Sequence, residues 1–288
     1  MIDKLTVLSS SIQDHFADLA IDQGTPKAGY EKVLDLRSTD TALPARLYYR
    51  GRRTRIHKVE MIGVARLGWP RTREVLQEIF SNLDILRIYR IDLAVDLLGT
   101  DVDFFIRNCR VPRRQNIALY RSRGNYSFYP VFSRLKKLVV YDRLAKMRKD
   151  AEPMATIYLP GDCLTRIEAQ LSGAEVPFTR LNHIRRYADF DPFKELLFKE
   201  LHIQTMGLTA GEVLKAMGLR QSVQQYGLQD TLKQFAAQER AYIEKTFLTP
   251  MKDADIPPLK KIVQRSVGDW LAGRIRFPRG RAEEDEAA

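Results

Sequence analysis

The chain has 288 residues, and its 47 lysines and arginines outnumber its 36 aspartates and glutamates, which gives a formal charge of +11 and a pI near 9.6. Apolar residues make up 44% and charged residues 29%, as in a globular chain with an ordinary core, so collagen-like and low-complexity proteins are excluded. The excess of positive charge favours a polyanionic partner, either nucleic acid or an anionic membrane surface.

Cysteine usage and the start of the chain indicate the compartment. Two cysteines, Cys109 and Cys163, are too few for a disulfide framework, and a reducing compartment is the default for such a chain. The opening Met1-Ile2-Asp3-Lys4-Leu5 lacks the basic patch and apolar run of a signal peptide. No stretch approaches the roughly 18 uninterrupted apolar residues of a membrane span. We therefore expect a cytoplasmic protein without a membrane partner.

Hydrophobic periodicity predicts both strands and helices in the first hundred residues. In chain order these are a strand at 5–9, a helix ending near residue 21, a hairpin of strands 45–49 and 56–62, a helix at 72–83 and a strand at 88–98. We expect Trp69-Pro70 to separate the hairpin from the helix that follows it. Residues 22–44 show no clear period.

The pattern becomes mainly helical near residue 190. A helix at 102–108, a strand at 137–141, a helix at 143–149 and a strand at 164–171 are followed by helices at 193–203, 209–217, 219–226, 228–247 and 257–271. These elements predict an α+β domain at 1–190, with an antiparallel sheet and covering helices. A smaller helical domain at 191–278 and a disordered tail at 279–288 complete the expected organisation.

One pair of the predicted helices begins at a capping box, Thr209-Ala210-Gly211-Glu212, in which the hydroxyl and the carboxylate each bond to the other residue's amide. A helix from this box to Met217, ended by Gly218, and a second helix at 219–226 have the shape of a helix-turn-helix, which would suit DNA recognition. Helix pairs joined at glycine are also common in plain bundles, so both interpretations stay open.

Positive charge is concentrated in residues 106–149, the basic segment. It holds thirteen basic residues and one acid, Asp142, so its local excess is larger than that of the whole chain. Aromatic residues are interleaved with the cations, and this mixture is typical of sites for single-stranded nucleic acid. The residues expected to contact DNA are Arg113, Arg114, Arg121, Arg123, Lys136 and Lys137. The alternative is a solvated basic loop over buried aromatic residues.

Several predicted strands present carboxylates on one face. Asp92 and Asp96 share a face because side chains alternate along a strand, and Glu60 and Glu168 oppose the apolar residues of their own strands. Acids are depleted in strands, so each of these needs a partner. Either cations of the basic segment pair with them, or they converge on a divalent ion, for which hard oxygen ligands favour Mg²⁺ or Mn²⁺.

Tyr141 stands where the strand at 137–141 leaves the sheet and the cations begin. A tyrosine at such a position is usually a packed aromatic residue. Its functional alternative is a nucleophile, because a phenol with an ordinary pKa of about 10 needs nearby positive charge or a metal to become a phenoxide. Arg143, Lys146 and Arg148 could supply that charge, or hold a phosphate.

Taken in order, these segments resemble the replication initiators of rolling-circle phages and plasmids, in particular the filamentous-phage gene II family and the related plasmid and conjugative-element initiators. The likeness extends over residues 1–190. Its motifs are Met1-Ile2-Asp3-Lys4-Leu5, Lys58-Val59-Glu60 with Ala65-Arg66-Leu67, Arg90-Ile91-Asp92-Leu93-Ala94-Val95-Asp96, Leu138-Val139-Val140-Tyr141-Asp142-Arg143 and Leu164-Thr165-Arg166-Ile167-Glu168-Ala169-Gln170-Leu171.

The resemblance implies the fold of replication-initiator nickases for residues 1–190, and a metal-dependent DNA nickase and strand transferase as the activity. In such enzymes a tyrosine attacks a phosphodiester at the origin, forms a 5′-phosphotyrosine, leaves a 3′-hydroxyl that primes synthesis, and later reseals the strand. The position that matches the nucleophile is Tyr141. The acids that match the metal site are Asp92, Glu168, Glu60 and Asp96. The implied partners are origin DNA that is single-stranded at the nick, a host helicase and a polymerase.

The chain departs from this pattern in three ways. Related plasmid initiators often have lysine where this chain has Arg143, its four histidines form no His-x-His pair, and the basic segment holds other tyrosines that could be the nucleophile. Those tyrosines are Tyr120, Tyr126 and Tyr129. Two other functions stay open: a non-catalytic DNA-binding regulator of replication or transcription, whose strand acids merely pair with arginines, and a metal-dependent nuclease that uses water.

Overall fold

A computed structural model of the chain describes residues 1–110, 117–122, 125–130, 136–152, 155–156, 158, 161–201 and 207–274. These residues form two compact units. The first consists of residues 1–95, 169–191 and the described residues from 260 onward, and the second of the described residues in 96–168 and 192–259. The chain passes between the units near residue 191, next to the domain boundary predicted after residue 190. Within the described residues it also passes between them after residues 95, 168 and 259.

In its described residues, the first unit is built on an antiparallel sheet with three helices. In sheet order its strands are β2 (Thr25–Lys27), β3 (Tyr30–Asp35), β4 (Ala45–Gly51), β5 (His57–Met61), β1 (Ile2–Ser9) and β6 (Arg87–Leu98). The helices are α1 (Asp14–Gln23), α2 (Val64–Ile79) and α8 (Leu259–Leu271). The structure confirms the predicted hairpin as β4 and β5, and places β2 and β3 in the stretch that lacks periodicity.

The two faces of this sheet differ in chemistry because the side chains of β4 and β5 alternate. Leu47, Tyr49 and Val59 are buried on one face, whereas Tyr48 and Glu60 lie on the other. Helix α1 packs against β3 and β4, and α2 packs against β1. Burial of the apolar face holds the unit together and leaves a polar face.

Helix α2 begins before the predicted start because it contains a kink. Gly68 has a φ of +66° there, a conformation that favours glycine, and Pro70 follows in the first turn of the second segment. The helix α8 (Leu259–Leu271) packs at this kink, where the Trp270 indole N–H donates to the Val64 carbonyl at 2.8 Å. A continuous α-helix would otherwise use that carbonyl.

The second unit contains the remaining strands of the large sheet and several helices. Its sheet order is β6, β11 (Leu164–Ser172), β10 (Lys136–Asp142), β9 (Asn125–Pro130) and β8 (Ile117–Ser122), with β6 and β11 each contributing residues to both units. The helices α3 (Val102–Asn108) and α4 (Arg143–Lys149) coincide with their predicted positions. The fold is therefore mixed, with a large antiparallel sheet, as α+β predicts.

A small sheet and three helices complete the second unit. The strands are β7 (Cys109–Arg110), β12 (Leu197–Leu201) and β13 (Leu248–Pro250), and the helices are α5 (Ala210–Tyr226), α6 (Leu228–Lys233) and α7 (Ala237–Thr246). The predicted helix at 193–203 is wrong, because 197–201 pairs with β7 and β13. The single helix predicted at 228–247 is two helices.

The break predicted at Gly218 is also wrong. Helix α5 is continuous through Gly218 and ends at Gly227, whose φ of +82° is the positive value that a glycine terminator adopts. The capping box at Thr209 is confirmed. The helix-turn-helix expected at 209–226 is therefore absent in that form from the described part of the chain.

Short 3₁₀ helices connect some of these elements. They are Leu36–Ser38, Gly173–Glu175, Leu181–Ala188 and Asp253–Asp255. Across the described residues, no helix combines the length and the apolar character needed to cross a membrane. The predicted tail at 279–288 lies outside the described residues.

Candidate active site

Tyr141 and Glu168 are joined by a hydrogen bond inside the second unit. Tyr141 is on β10 and Glu168 on β11, the next strand of the sheet, and the tyrosine hydroxyl donates to a carboxylate oxygen, Oε1, at 2.6 Å. Both side chains are buried, and the distance is that of an O–H···O⁻ bond to an ionised acceptor. A phenol in this arrangement has a proton acceptor already in place.

The turn that follows β10 positions a cation at the same tyrosine. The side chain of Asp142 accepts from the Ala145 amide at 2.8 Å and caps α4, which therefore begins directly after the strand. One turn into this helix, the Lys146 ammonium lies 4.9 Å from the centroid of the Tyr141 ring. This contact is a cation–π interaction, and negative charge on the phenol oxygen would strengthen the attraction.

Arg143, which is also predicted to assist Tyr141, forms an ion pair with Glu152. Arg143 donates to both oxygens of Glu152, at 3.0 and 2.8 Å, in a partly buried pair. Burial raises the pKa of Tyr158, the nearby charge of Asp96 raises it further, and Arg143 opposes this increase. Tyr158 is a buried tyrosine that sequence reasoning missed, since neither periodicity nor charge distinguishes it.

A buried ion pair lies in the same unit. Arg166 on β11 donates to both oxygens of Asp96 on β6, at 2.5 and 2.6 Å, and both side chains are almost completely buried. Arg166 and Glu168 lie on the same face of β11, and both side chains are buried. Arg166 was not among the predicted site residues, although its alternation with Glu168 was the signal for it.

In the first unit, the acids Asp92 and Glu60 are also paired. Asp92 accepts two hydrogen bonds from Arg90, at 2.9 and 2.7 Å, while burial raises its pKa. Glu60 accepts from Lys4 at 2.5 Å and from the Tyr48 hydroxyl at 3.0 Å. The cations that pair with Asp92, Asp96 and Glu60 therefore come from the strands and not from the basic segment.

The pairing of these acids affects how they could bind a divalent metal ion. Over the described ranges, no three side chains among His, Cys, Asp and Glu come together as a metal site. Both oxygens of Asp92 and both of Asp96 face a guanidinium, which a metal would have to displace. As paired, Asp92 and Asp96 do not fit as ligands of Mg²⁺ or Mn²⁺. That cofactor stays a prediction, and no chemical step below uses it.

Most of the predicted DNA contacts lie outside the described residues, or are residues of which only the backbone is described. Arg113, Arg114 and Arg123 lie outside the described residues, and Arg121 and Lys136 are described only by their backbone in β8 and β10. Lys137 is exposed on β10. The alternative nucleophiles Tyr120, Tyr126 and Tyr129 are likewise described only by their backbone, in β8 and β9.

Comparison of the chain with known protein families finds no match, and comparison with curated proteins finds none either.

Proposed function

We propose that this protein cleaves one strand of DNA through Tyr141 and remains linked to the cut end, as a rolling-circle replication initiator does. The observation that carries the proposal is the 2.6 Å hydrogen bond from Tyr141 to Glu168. A weak nucleophile becomes reactive when a base removes its proton and a cation stabilises the developing charge. Glu168 and Lys146 are suited to these two roles.

The reaction begins with attack by the Tyr141 oxygen on phosphorus. The Tyr141 Oη–P bond forms and the bond from phosphorus to the 3′-oxygen breaks, which leaves a 5′-phosphotyrosine. The phenol proton passes to the Glu168 carboxylate, and the 3′-oxygen takes a proton from water and becomes the 3′-hydroxyl primer. The phosphodiester is exchanged for a phosphotyrosine ester, so attack by a 3′-hydroxyl with the proton movements reversed reseals the strand.

A non-catalytic DNA-binding regulator is the second candidate function. A specific observation favours it: Asp92, Asp96 and Glu60 are all paired with cations, as expected if these acids only balance charge. In that case the Tyr141–Glu168 bond would be a buried structural link. The two functions differ in one product, a covalent bond between protein and DNA.

The decisive experiment uses single-stranded oligonucleotides that tile the replicon encoding the chain, each labelled at one end. With Mg²⁺ or Mn²⁺ present, a 3′-end label should stay on the protein through denaturing electrophoresis, whereas a 5′-end label should appear on a shorter strand that a polymerase extends. Tyr141→Phe should abolish both products. The same reactions with a chelator test the predicted metal.

Tyr158→Phe is the matched control, because Tyr158 is a second buried tyrosine of the same unit. It should leave the adduct intact. Cleavage without an adduct would replace the proposal by hydrolysis with water, and an adduct that persists in Tyr141→Phe would move the nucleophile to another tyrosine. Binding of the oligonucleotides with neither cleavage nor adduct would establish the regulator.

A further inference from the structure

The first unit has a basic surface that is separate from the basic segment. It is formed by Lys27, Tyr30, Tyr48, Arg52 and Lys58, and is called the hairpin surface below. These residues come from β2, β3, β4, the turn after β4, and β5. Lys27 and Arg52 are exposed, Lys58 and Tyr30 are partly exposed, and Tyr48 is buried beneath the lysines.

Aromatic rings and ammonium groups are in direct contact here. The Lys58 ammonium is 3.5 Å from the centroid of Tyr48 and 5.3 Å from that of Tyr30, and the Lys27 ammonium is 5.3 Å from that of Tyr48. The two rings meet edge to face at 5.2 Å. Cations and rings are therefore held together at one end of the sheet.

Backbone contacts fix the position of the turn. The Arg52 amide donates to the Gly29 carbonyl at 3.0 Å, and its guanidinium donates to the Tyr30 carbonyl at 3.3 Å. The turn after β4 is thereby tied to the turn between β2 and β3. This preorganisation reduces the entropy that a ligand would have to remove on binding.

Positive charge on the hairpin surface is incompletely balanced. Within the described ranges, no carboxylate lies at ion-pair distance from the ammonium of Lys27 or of Lys58. Burial lowers the pKa of Lys58, and the charges of Lys27, Lys4 and Arg46 lower it further against the opposing charge of Glu60. Two like charges beside one ring repel each other, and an anion bound between them would remove that repulsion.

We infer that the hairpin surface binds single-stranded DNA, with a backbone phosphate between Lys27 and Lys58 and a base against Tyr30. Unpaired strands bind proteins through this combination of phosphate contacts and aromatic stacking. In a duplex the bases are already stacked, so the ring of Tyr30 would gain no partner. This inference goes beyond the proposed function, because these residues have no part in the chemistry at Tyr141.

The test measures the anisotropy of a fluorescent oligothymidylate of about 20 nucleotides with the full chain, in about 0.1 M salt and a chelator. Lys27→Gln/Lys58→Gln should weaken binding about tenfold and lower the salt slope by roughly 0.7 to 1.4. Tyr30→Leu should weaken it about fivefold or more, and Tyr30→Phe should bind within about twofold of wild type. Arg73→Gln/Arg185→Gln removes the same charge from other exposed sites of the unit and should also bind within about twofold.

The inference would be overturned if both double variants weakened binding of the oligothymidylate equally. It would also be overturned if Lys27→Gln/Lys58→Gln lost as much affinity for duplex DNA as for single-stranded DNA. Because changes at Lys58 and Tyr30 could disturb folding, the exposed single variant Lys27→Gln must also weaken binding, with an unchanged melting temperature. This test measures binding under conditions without cleavage. Failure to form an adduct would therefore leave the inference intact, and failure of the hairpin surface to bind would leave the proposed function intact.

Discussion

Two tyrosines of this protein, one in each unit, donate a hydroxyl to a glutamate on the neighbouring strand and lie under a lysine. Tyr48 donates to Glu60 at 3.0 Å in the first unit, and Tyr141 donates to Glu168 at 2.6 Å in the second. Glu60 is also ion-paired to Lys4. Burial raises the pKa of Tyr48, and the bond to Glu60 raises it further.

The difference shows that residue identity alone does not set the properties of a tyrosine–glutamate pair. Lys4 and Tyr48 each bond a carboxylate oxygen of Glu60, and this stabilises the ionised form and makes Glu60 a poorer proton acceptor. The Tyr48 pair therefore has the properties of a structural link between β4 and β5. The Tyr141 pair has a shorter bond and adjoins a helix that begins with cations.

The largest expected effect separates the two glutamates. Glu168→Gln should slow adduct formation about 100-fold or more, because loss of a general base typically costs 10²–10⁴-fold. Glu60→Gln should slow adduct formation by less than about threefold. The measurement is single-turnover adduct formation with a 3′-labelled strand. Equal losses in both variants would break the comparison and favour the prediction that Glu60 holds a metal.

The second expected effect concerns stability. Asp96→Asn removes the charge that balances buried Arg166 and should cost about 3–5 kcal/mol. Asp92→Asn should cost about 1 kcal/mol, because the side chain of Arg90 is 32% exposed and stays hydrated. Urea unfolding followed by circular dichroism measures both. A larger loss for Asp92→Asn would show that the first unit depends more on its polar pairs.

A smaller effect on stability is expected at a buried hydroxyl group of the second unit. Among the described residues, the Thr231 hydroxyl of α6 is buried without a hydrogen-bond partner. Thr231→Val keeps the shape and removes the polar group, so it should raise the free energy of unfolding by about 1 kcal/mol. Thermal unfolding checks this, with Thr231→Ser, which keeps the hydroxyl, as the control. A destabilised valine variant would contradict it.

The smallest effect is a contrast in pH dependence within the first unit. Burial alone would raise the pKa of Glu60, but Lys4 and Tyr48 bring it below its ordinary value, so its stabilising effect is lost as pH falls. Burial raises the pKa of Asp92, so the contribution of Asp92 to the free energy of unfolding falls as the pH rises above about 3.9.

We therefore expect the unfolding free energy of the wild type minus that of Glu60→Gln to decrease as the pH falls from about 6 to about 3. The corresponding difference between the wild type and Asp92→Asn should increase over the same range. Urea unfolding at several pH values gives both differences. Slopes of the same sign would contradict these directions.

Several elements of the fold could be predicted because their patterns are local. The apolar alternation of β6 and β11 and the apolar run Leu138-Val139-Val140 of β10 were sufficient. Strand β12 was mistaken for a helix because its partners, β7 and β13, are distant in the sequence. Strands β2 and β3 lack a clear alternation, so their structure is decided by pairing, of β3 with β4 and of β2 with β3.

The candidate site was predictable as a set of residues but not as a set of contacts. Tyr141, Lys146, Glu168 and Asp96 were selected from charge and alternation. Their partners depend on strand pairing, since Tyr141 and Glu168 are 27 positions apart and Asp96 and Arg166 are 70 apart. The hairpin surface was missed because its cations are separated in the sequence and become neighbours only in the sheet.

The docking of Trp270 on Val64 has a consequence for synthesis. The first unit needs α8, yet the ribosome makes residues 96–259 between the early strands and that helix. At about 5–20 residues per second this interval lasts roughly 8–33 s. During that time the Val64 carbonyl and the apolar surface around the α2 kink lack their final partner, so the nascent chain exposes a surface that chaperones can recognise.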